Sequence, residues 1–227
     1  MNKTTLIYIS DVSPLADGRI YSAAYNNVSV ERRKKTDAFR FEKDKRLSLG
    51  AELLLKKALA DYGVSPRDMR FEYGENGKPF LAGEKDVFFN VSHSGTYVMC
   101  AVSDGQIGCD TEQITGYKDS LARHIFSAAE YADISSKVSE EEKSAAFFRY
   151  WTLRESYMKY TGLGLALPLS DFEITTDGET GVLKNGEKQN VFFGEFSSIP
   201  GYACAVCADK PLRESKLTLI SIEECPA

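Results

Sequence analysis

The chain opens on a short apolar run, Leu6-Ile7-Tyr8-Ile9, whose length and branched residues predict a buried first strand. The next stretch, Tyr21 to Val30, carries no decisive period. From Glu31 to Tyr62 the pattern becomes helical, very basic at first and then amphipathic through Leu47, Leu49, Leu53, Leu54 and Leu55. It predicts one long helix, stopped by Gly63 and Pro66. Met69 to Tyr73 reads as a strand, Glu75-Asn76-Gly77-Lys78-Pro79 as a turn, and Phe80-Leu81 as a short continuation. Strands follow at Val87 to Val91, Tyr97 to Ser103 and Gln106 to Gln113, with a hairpin-type turn at Asp104-Gly105. Helical patterns return from Tyr117 to Val138 and from Glu141 to Tyr160, the second ended by Gly162 and Gly164. Beyond Phe172 the chain is strand-rich, with polar turns at Thr176-Asp177-Gly178 and Lys184-Asn185-Gly186.

This order predicts an α+β fold of two similar halves forming a pseudo-dimer, each a small, mostly antiparallel sheet packed on a long helix. The halves are expected to be residues 1–105 and 106–227, with a site at their interface. Apolar residues at 43% and charged residues at 27% are ordinary for a soluble globular chain. The net charge of −5 argues against a general nucleic-acid binder, which needs a basic face. The first apolar run is shorter than the roughly 7–15 residues of a secretory signal or the roughly 20 of a spanning helix. A cytoplasmic protein without membrane contact is therefore expected. Of the five cysteines, Cys204 and Cys207 have CxxC spacing, but they lie in the apolar run Tyr202 to Ala208. On a strand their sulfurs point to opposite faces, so buried structural thiols are expected.

Candidate chemistry concentrates in two segments. Ile107-Gly108-Cys109-Asp110-Thr111-Glu112 reads as strand, so Asp110 and Glu112 share a face. Trp151 to Lys159 reads as helix, with Glu155 and Lys159 one turn apart. Three carboxylates with an adjacent cation suit a magnesium ion and a phosphate-bearing substrate, since Mg²⁺ takes hard oxygens and keeps several waters. A D-x-E pair alone is more often a solvated strand face; Gly108 tips the balance, because a strand glycine marks close approach by a ligand or another backbone. Phe89 to Gly95 reads as a strand ending in a polar turn, where Ser92, His93 and Ser94 offer phosphate donors. A Ser-His nucleophilic pair is discounted, since adjacent residues point apart and no orienting acid is evident. Lys78 lies in a turn from which it can reach a phosphate, or simply sit at the surface. In the run Arg32-Arg33-Lys34-Lys35 and onward, Lys34 and Arg46 become phosphate partners once a polyphosphate ligand is considered.

Taken together, Gly77-Lys78-Pro79, Phe89 to Gly95, Ile107 to Glu112, and Trp151 to Lys159 followed by Gly162-Leu163-Gly164-Leu165 resemble the 4′-phosphopantetheinyl transferase superfamily. The likeness is to its longer, pseudo-dimeric branch, typified by the surfactin-synthetase activator. It spans Glu31 to Cys207 with the motifs in the expected order. The resemblance implies transfer of 4′-phosphopantetheine from coenzyme A to a serine of an apo acyl or peptidyl carrier protein, with release of adenosine 3′,5′-bisphosphate. It implies Mg²⁺ or Mn²⁺ on Asp110, Glu112 and Glu155. It implies coenzyme A contacts from Lys34, Arg46, Lys78, Ser92, His93 and Lys159, and catalytic roles for Glu155, Lys159 and His93. A monomer is the default for a chain holding both halves.

Two alternatives stay open at this stage: a non-catalytic coenzyme A-binding relative, and a metal-dependent phosphodiesterase acting on coenzyme A. Arg154 is the one feature favouring the silent relative, since the family's helix motif usually carries lysine there and arginine cannot release a proton at working pH.

Overall fold

The computed structural model describes residues 4–212 and 214–225. Strand β1 (Leu6–Asp11) leads through a 3₁₀ turn into three helices, α1 (Gly18–Asn27), α2 (Val30–Asp37) and α3 (Glu42–Asp61). The long helix expected from Glu31 to Tyr62 is thus two. α2 ends at Ala38 and folds back on α3, where the hydroxyls of Thr36 and Ser48 meet at 2.9 Å in the core. Buried Glu52 of α3 completes the joint: it accepts from the Ser29 amide at 2.6 Å, the Ser29 hydroxyl at 3.0 Å and Arg32 Nε at 3.1 Å. No glycine or proline stands between Ala38 and Phe41, so the break has a tertiary cause.

The hairpin of β2 (Phe71–Tyr73) and β3 (Pro79–Leu81) precedes β4 (Phe88–Ser94), β5 (Tyr97–Ser103) and β6 (Ile107–Gln113). β4 runs on through Ser92, His93 and Ser94, which pair with Met99, Val98 and Tyr97, so these residues belong to a strand and not to a polar turn. The helical pattern from Tyr117 to Val138 likewise divides, into α4 (Asp119–Ile125) and α5 (Ala128–Ser135). Ser127 and Glu130 form a capping box at the division, a signature present in the sequence. A second box, Ser139 with Glu142, starts α6 (Glu140–Thr161), and Gly162 at φ 73° ends it. β7 (Phe172–Thr175), β8 (Gly181–Lys184) and β9 (Glu187–Lys188) form a meander; β10 (Phe192–Phe196), β11 (Tyr202–Ala208) and β12 (Leu217–Leu219) finish the chain.

Two principal sheets result, ordered β12-β1-β5-β4 and β10-β11-β6, as the α+β reading anticipates. α3 packs Leu49, Leu54 and Leu59 against the outer face of the first, and α6 packs Phe147, Leu153 and Tyr157 against that of the second. Their inner faces share a third core, in which Ile7, Ile9 and Met99 meet Ile107, Cys109, Cys204 and Val206. β12 returns from the second half to pair in parallel with β1, and Ile222 and Cys225 join the first core. All five cysteines are free and buried; Cys204 lies in the inter-sheet core and Cys207 under α6, on opposite faces of β11. Among the described residues no helix is long and apolar enough to cross a membrane.

Candidate active site

The two halves meet where β4 lies alongside β6. Three bridges tie them in step: the Cys109 amide donates to Asn90 Oδ1 at 2.9 Å, Ser92 Oγ to Asp110 Oδ1 at 2.7 Å, and Ser94 Oγ to Glu112 Oε2 at 2.6 Å. Alternation along β6 turns Gly108, Asp110 and Glu112 to one face, toward α6. Gly108 makes the approach possible, since a Cβ there would stand 2.1 Å from the Ser156 carbonyl oxygen and 2.3 Å from the Tyr160 amide nitrogen. The strand glycine therefore marks close approach by another backbone. Across from it, Trp151, Glu155 and Lys159 form a stripe at four-residue spacing on α6.

Lys159 Nζ lies 2.6 Å from Asp110 Oδ1 and 3.0 Å from Ser92 Oγ, so groups from β4, β6 and α6 share one hydrogen-bonded cluster. Asp110 is 2% exposed, and its burial outweighs the pull of Lys159 and Ser92, leaving its carboxyl above the usual 3.8. For Lys159 burial works downward, but the attraction of Asp110 prevails and holds the ammonium above 10.5. Burial also raises Glu112, with repulsion from Asp110 adding to it, while Ser94 and the Trp151 indole N–H pull it back. Burial raises Glu155, and both other carboxylates push it further. The three acids thus feel one another across the strand–helix gap.

They are not, however, drawn into a metal cage. Among the described residues no three His, Cys, Asp or Glu side chains are grouped closely enough to hold an ion, against the convergence expected of Asp110, Glu112 and Glu155. The physical reason is local: Lys159 and Ser92 occupy Asp110 Oδ1, and Ser94 holds Glu112. The residues nonetheless suit a divalent cation. Asp110 Oδ2 is buried with no hydrogen-bond partner, an orphaned acceptor that normally costs about 1–3 kcal/mol. Three hard-oxygen donors that repel one another are what a cation relieves.

The other expected residues scatter. His93, on the opposite face of β4 from Ser92, is exposed at the edge of the cluster. Partial withdrawal from water, Lys159, and then Lys35 and Arg32 of α2 hold its pKa below 6.5. The basic helix therefore does reach the site, but through Arg32 and Lys35. Lys34 is exposed and Arg46 half-buried. Sequence reasoning did not single out Arg32 and Lys35, whose three-residue spacing places them on one helical face and whose charges act on His93. It also assigned no role to Trp151, which the four-residue spacing from Glu155 would have found, and it offered Ser94 as a phosphate donor where the structure sets it on Glu112.

Lys78, expected at a phosphate, is turned elsewhere. Its ammonium donates to the carbonyls of Lys159 at 2.7 Å, Ile107 at 3.0 Å and Tyr160 at 3.3 Å. Arg154, one residue before Glu155, points about 100° away around the helix into the core. It is 1% exposed, and Nη2 lies 2.6 Å from Glu130 Oε2. Nη1 and Nη2 also donate to the carbonyls of Leu169 and Phe172, at 3.0 and 3.1 Å, and the guanidinium covers the Phe172 ring at 4.6 Å. Arg154 is a structural cation outside the site, so it gives no ground for an inactive relative.

Two family models match adjoining stretches of this chain: one described as 4′-phosphopantetheinyl transferase, N-terminal, over residues 16–105, and one described as the 4′-phosphopantetheinyl transferase superfamily over 106–207. The chain is 32% identical over 200 residues to 4′-phosphopantetheinyl transferase Sfp of Bacillus subtilis (strain 168), covering 87% of this chain and 89% of that protein. It is 33% identical over 199 residues to 4′-phosphopantetheinyl transferase psf-1 of Bacillus pumilus, covering 86% and 85%. A more distant match, 32% over 164 residues, is to L-aminoadipate-semialdehyde dehydrogenase-phosphopantetheinyl transferase of Xenopus laevis, covering 65% and 54%.

Proposed function

This chain belongs to the 4′-phosphopantetheinyl transferase superfamily and is an enzyme of that type, and from that premise we propose that it moves 4′-phosphopantetheine from coenzyme A to a serine of an apo carrier protein. The observation that carries the reading is the cluster of Ser92, Asp110 and Lys159 at the junction of the halves, with the partnerless Asp110 Oδ2 beside Glu155 and Glu112.

Asp110, Glu112 and Glu155 would hold Mg²⁺ or Mn²⁺. When bound, the ion neutralises charge on the diphosphate and polarises it toward displacement. The chain's own residues do the rest. Lys159, within reach of Ser92, offers a positive charge to the leaving phosphate. His93 offers a neutral imidazole N–H to the phosphates of coenzyme A, and the charges of Lys35 and Arg32, which hold it neutral, add positive potential there. The acceptor serine oxygen bonds to the β-phosphorus, the bond from that phosphorus to the bridging oxygen breaks, and adenosine 3′,5′-bisphosphate leaves. Glu155, the carboxylate that α6 brings to the site, takes the serine proton. A monomer accords with both halves lying in one chain.

Mixing the protein with Mg²⁺, coenzyme A and an apo carrier protein, then weighing the carrier, tests the reading. A phosphopantetheine mass gain is expected. Free phosphopantetheine with an unchanged carrier would make it a hydrolase instead. For the base, Glu155→Gln is expected to lower kcat by about 100-fold or more, within the range of a lost general base; retained turnover with intact metal affinity would remove Glu155 from that role.

A further inference from the structure

We propose that Lys78 is a positioning residue, which clamps the end of α6 to the start of β6 and so sets the gap across which Asp110, Glu112, Glu155 and Lys159 act. The last carbonyls of an α-helix lack intrahelical partners, and a cation there is favoured by the helix dipole. At the end of α6, Lys78 Nζ takes the carbonyls of Lys159 and Tyr160, and it takes the carbonyl of Ile107 at the first residue of β6. An ammonium has three donors, and three carbonyls receive them.

The placement gives the clamp its leverage. Ile107 lies three residues before Asp110 on the strand, and Lys159 is itself the residue whose ammonium holds Asp110 at 2.6 Å. Lys78 comes from neither element: the β2–β3 turn of the first half delivers it, its stem passing within 3.6 Å of the space a Cβ on Gly162 would fill. One side chain from the first half thereby fixes two elements of the second at the glycine contact where their backbones touch. Burial lowers the Lys78 pKa to about 8, and the carbonyl bonds are what offset that cost.

The test uses the full chain and two readouts. Lys78→Gln is expected to lower kcat about 10- to 100-fold, the scale of a small misplacement of reacting groups, with KM for coenzyme A little changed. Amide hydrogen exchange is expected to accelerate over residues 156–162 and 107–110 and nowhere else. In Lys78→Cys, treatment with 2-bromoethylamine rebuilds an ammonium on an arm of lysine's length and is expected to restore both. The native thiols are buried with raised pKa values and do not compete. A rise in KM alone would make Lys78 a phosphate contact and overturn the proposal. Unchanged exchange at the α6–β6 junction, no rescue by the aminoethyl arm, or global unfolding of Lys78→Gln would overturn it as well. The proposal rests on the transferase reading for its kinetic arm only; the exchange arm judges the clamp even if wild-type protein leaves the carrier unmodified.

Discussion

Arg154 and Glu155 are neighbours in sequence with opposite duties, and helical geometry separates them. Glu155 faces the acids of β6, while Arg154 is forked onto Glu130, which also accepts from the Ser127 and Ile174 amides at 2.8 Å each. Removing one partner of a buried pair strands the other, at a cost of about 3–5 kcal/mol. Arg154→Met is therefore expected to lose stability on that scale in chemical denaturation. Arg154→Lys, which keeps charge but not the fork, is expected to lose less, and in both the KM for coenzyme A should be unaffected. His93 supplies a pH test. Its folded-state pKa lies below the unfolded 6.5, so the unfolded chain binds the proton first as pH falls. Stability should decline on acidification from about 6.5 down through the folded value, and His93→Asn should flatten that part of the curve.

At the scale of elements, Gly108 and Glu52 decide where two helices lie. An alanine at position 108 would meet the backbone of α6, which cannot rotate away as a side chain can. Gly108→Ala is expected to cost about 1–3 kcal/mol or more and to depress turnover beyond that loss, measured as kcat on the fraction that remains folded. Glu52 holds α2 against α3. Burial opposes its ionisation, but the Ser29 amide, Lys56 and the Ser29 hydroxyl outweigh it and bring its pKa below 4.5. Its contribution is complete above the unfolded pKa and disappears as pH falls through the folded one. Glu52→Gln should therefore show a shallower acid transition than wild type and, through Arg32 and Lys35, a higher KM for coenzyme A. The basic run of α2 was legible in sequence, but its break from α3 was not, because it is made by Thr36, Ser48 and Glu52 across the joint and by no local stop signal.

The whole molecule is closed by its last described segment. β12 covers the edge of β1, Ile220 N donates to Ile9 O at 2.9 Å, and Ile222 is 3% exposed in the first core. Ending the chain after Ala208 would bare that edge and take Ile222 and Cys225 out of the first core, exposing the side chains they cover. Burial of one such aliphatic side chain is worth about 1.5–3 kcal/mol, so the shortened protein is expected to unfold at markedly lower denaturant, with both halves affected. Unchanged stability would mean that the two sheets do not depend on this return.

By itself the sequence determined most of the elements, the α+β class and the two-half plan, because apolar periodicity is a local record of which face each segment buries; it left α1 undecided and ended β4 early, where that record is weak. It also brought forward Asp110, Glu112, Glu155 and Lys159, because strand alternation and helical spacing fix which side chains share a face, and Ser92 and His93 as donors of a polar segment beside Gly95. Tertiary structure alone decided what those side chains touch. It set Lys78 on helix-end carbonyls and Arg154 on Glu130, and it brought the charges of Arg32 and Lys35 to bear on His93. Each of those outcomes depends on which distant backbone or charge arrives at the same point in space, and that information is carried by no single stretch of chain.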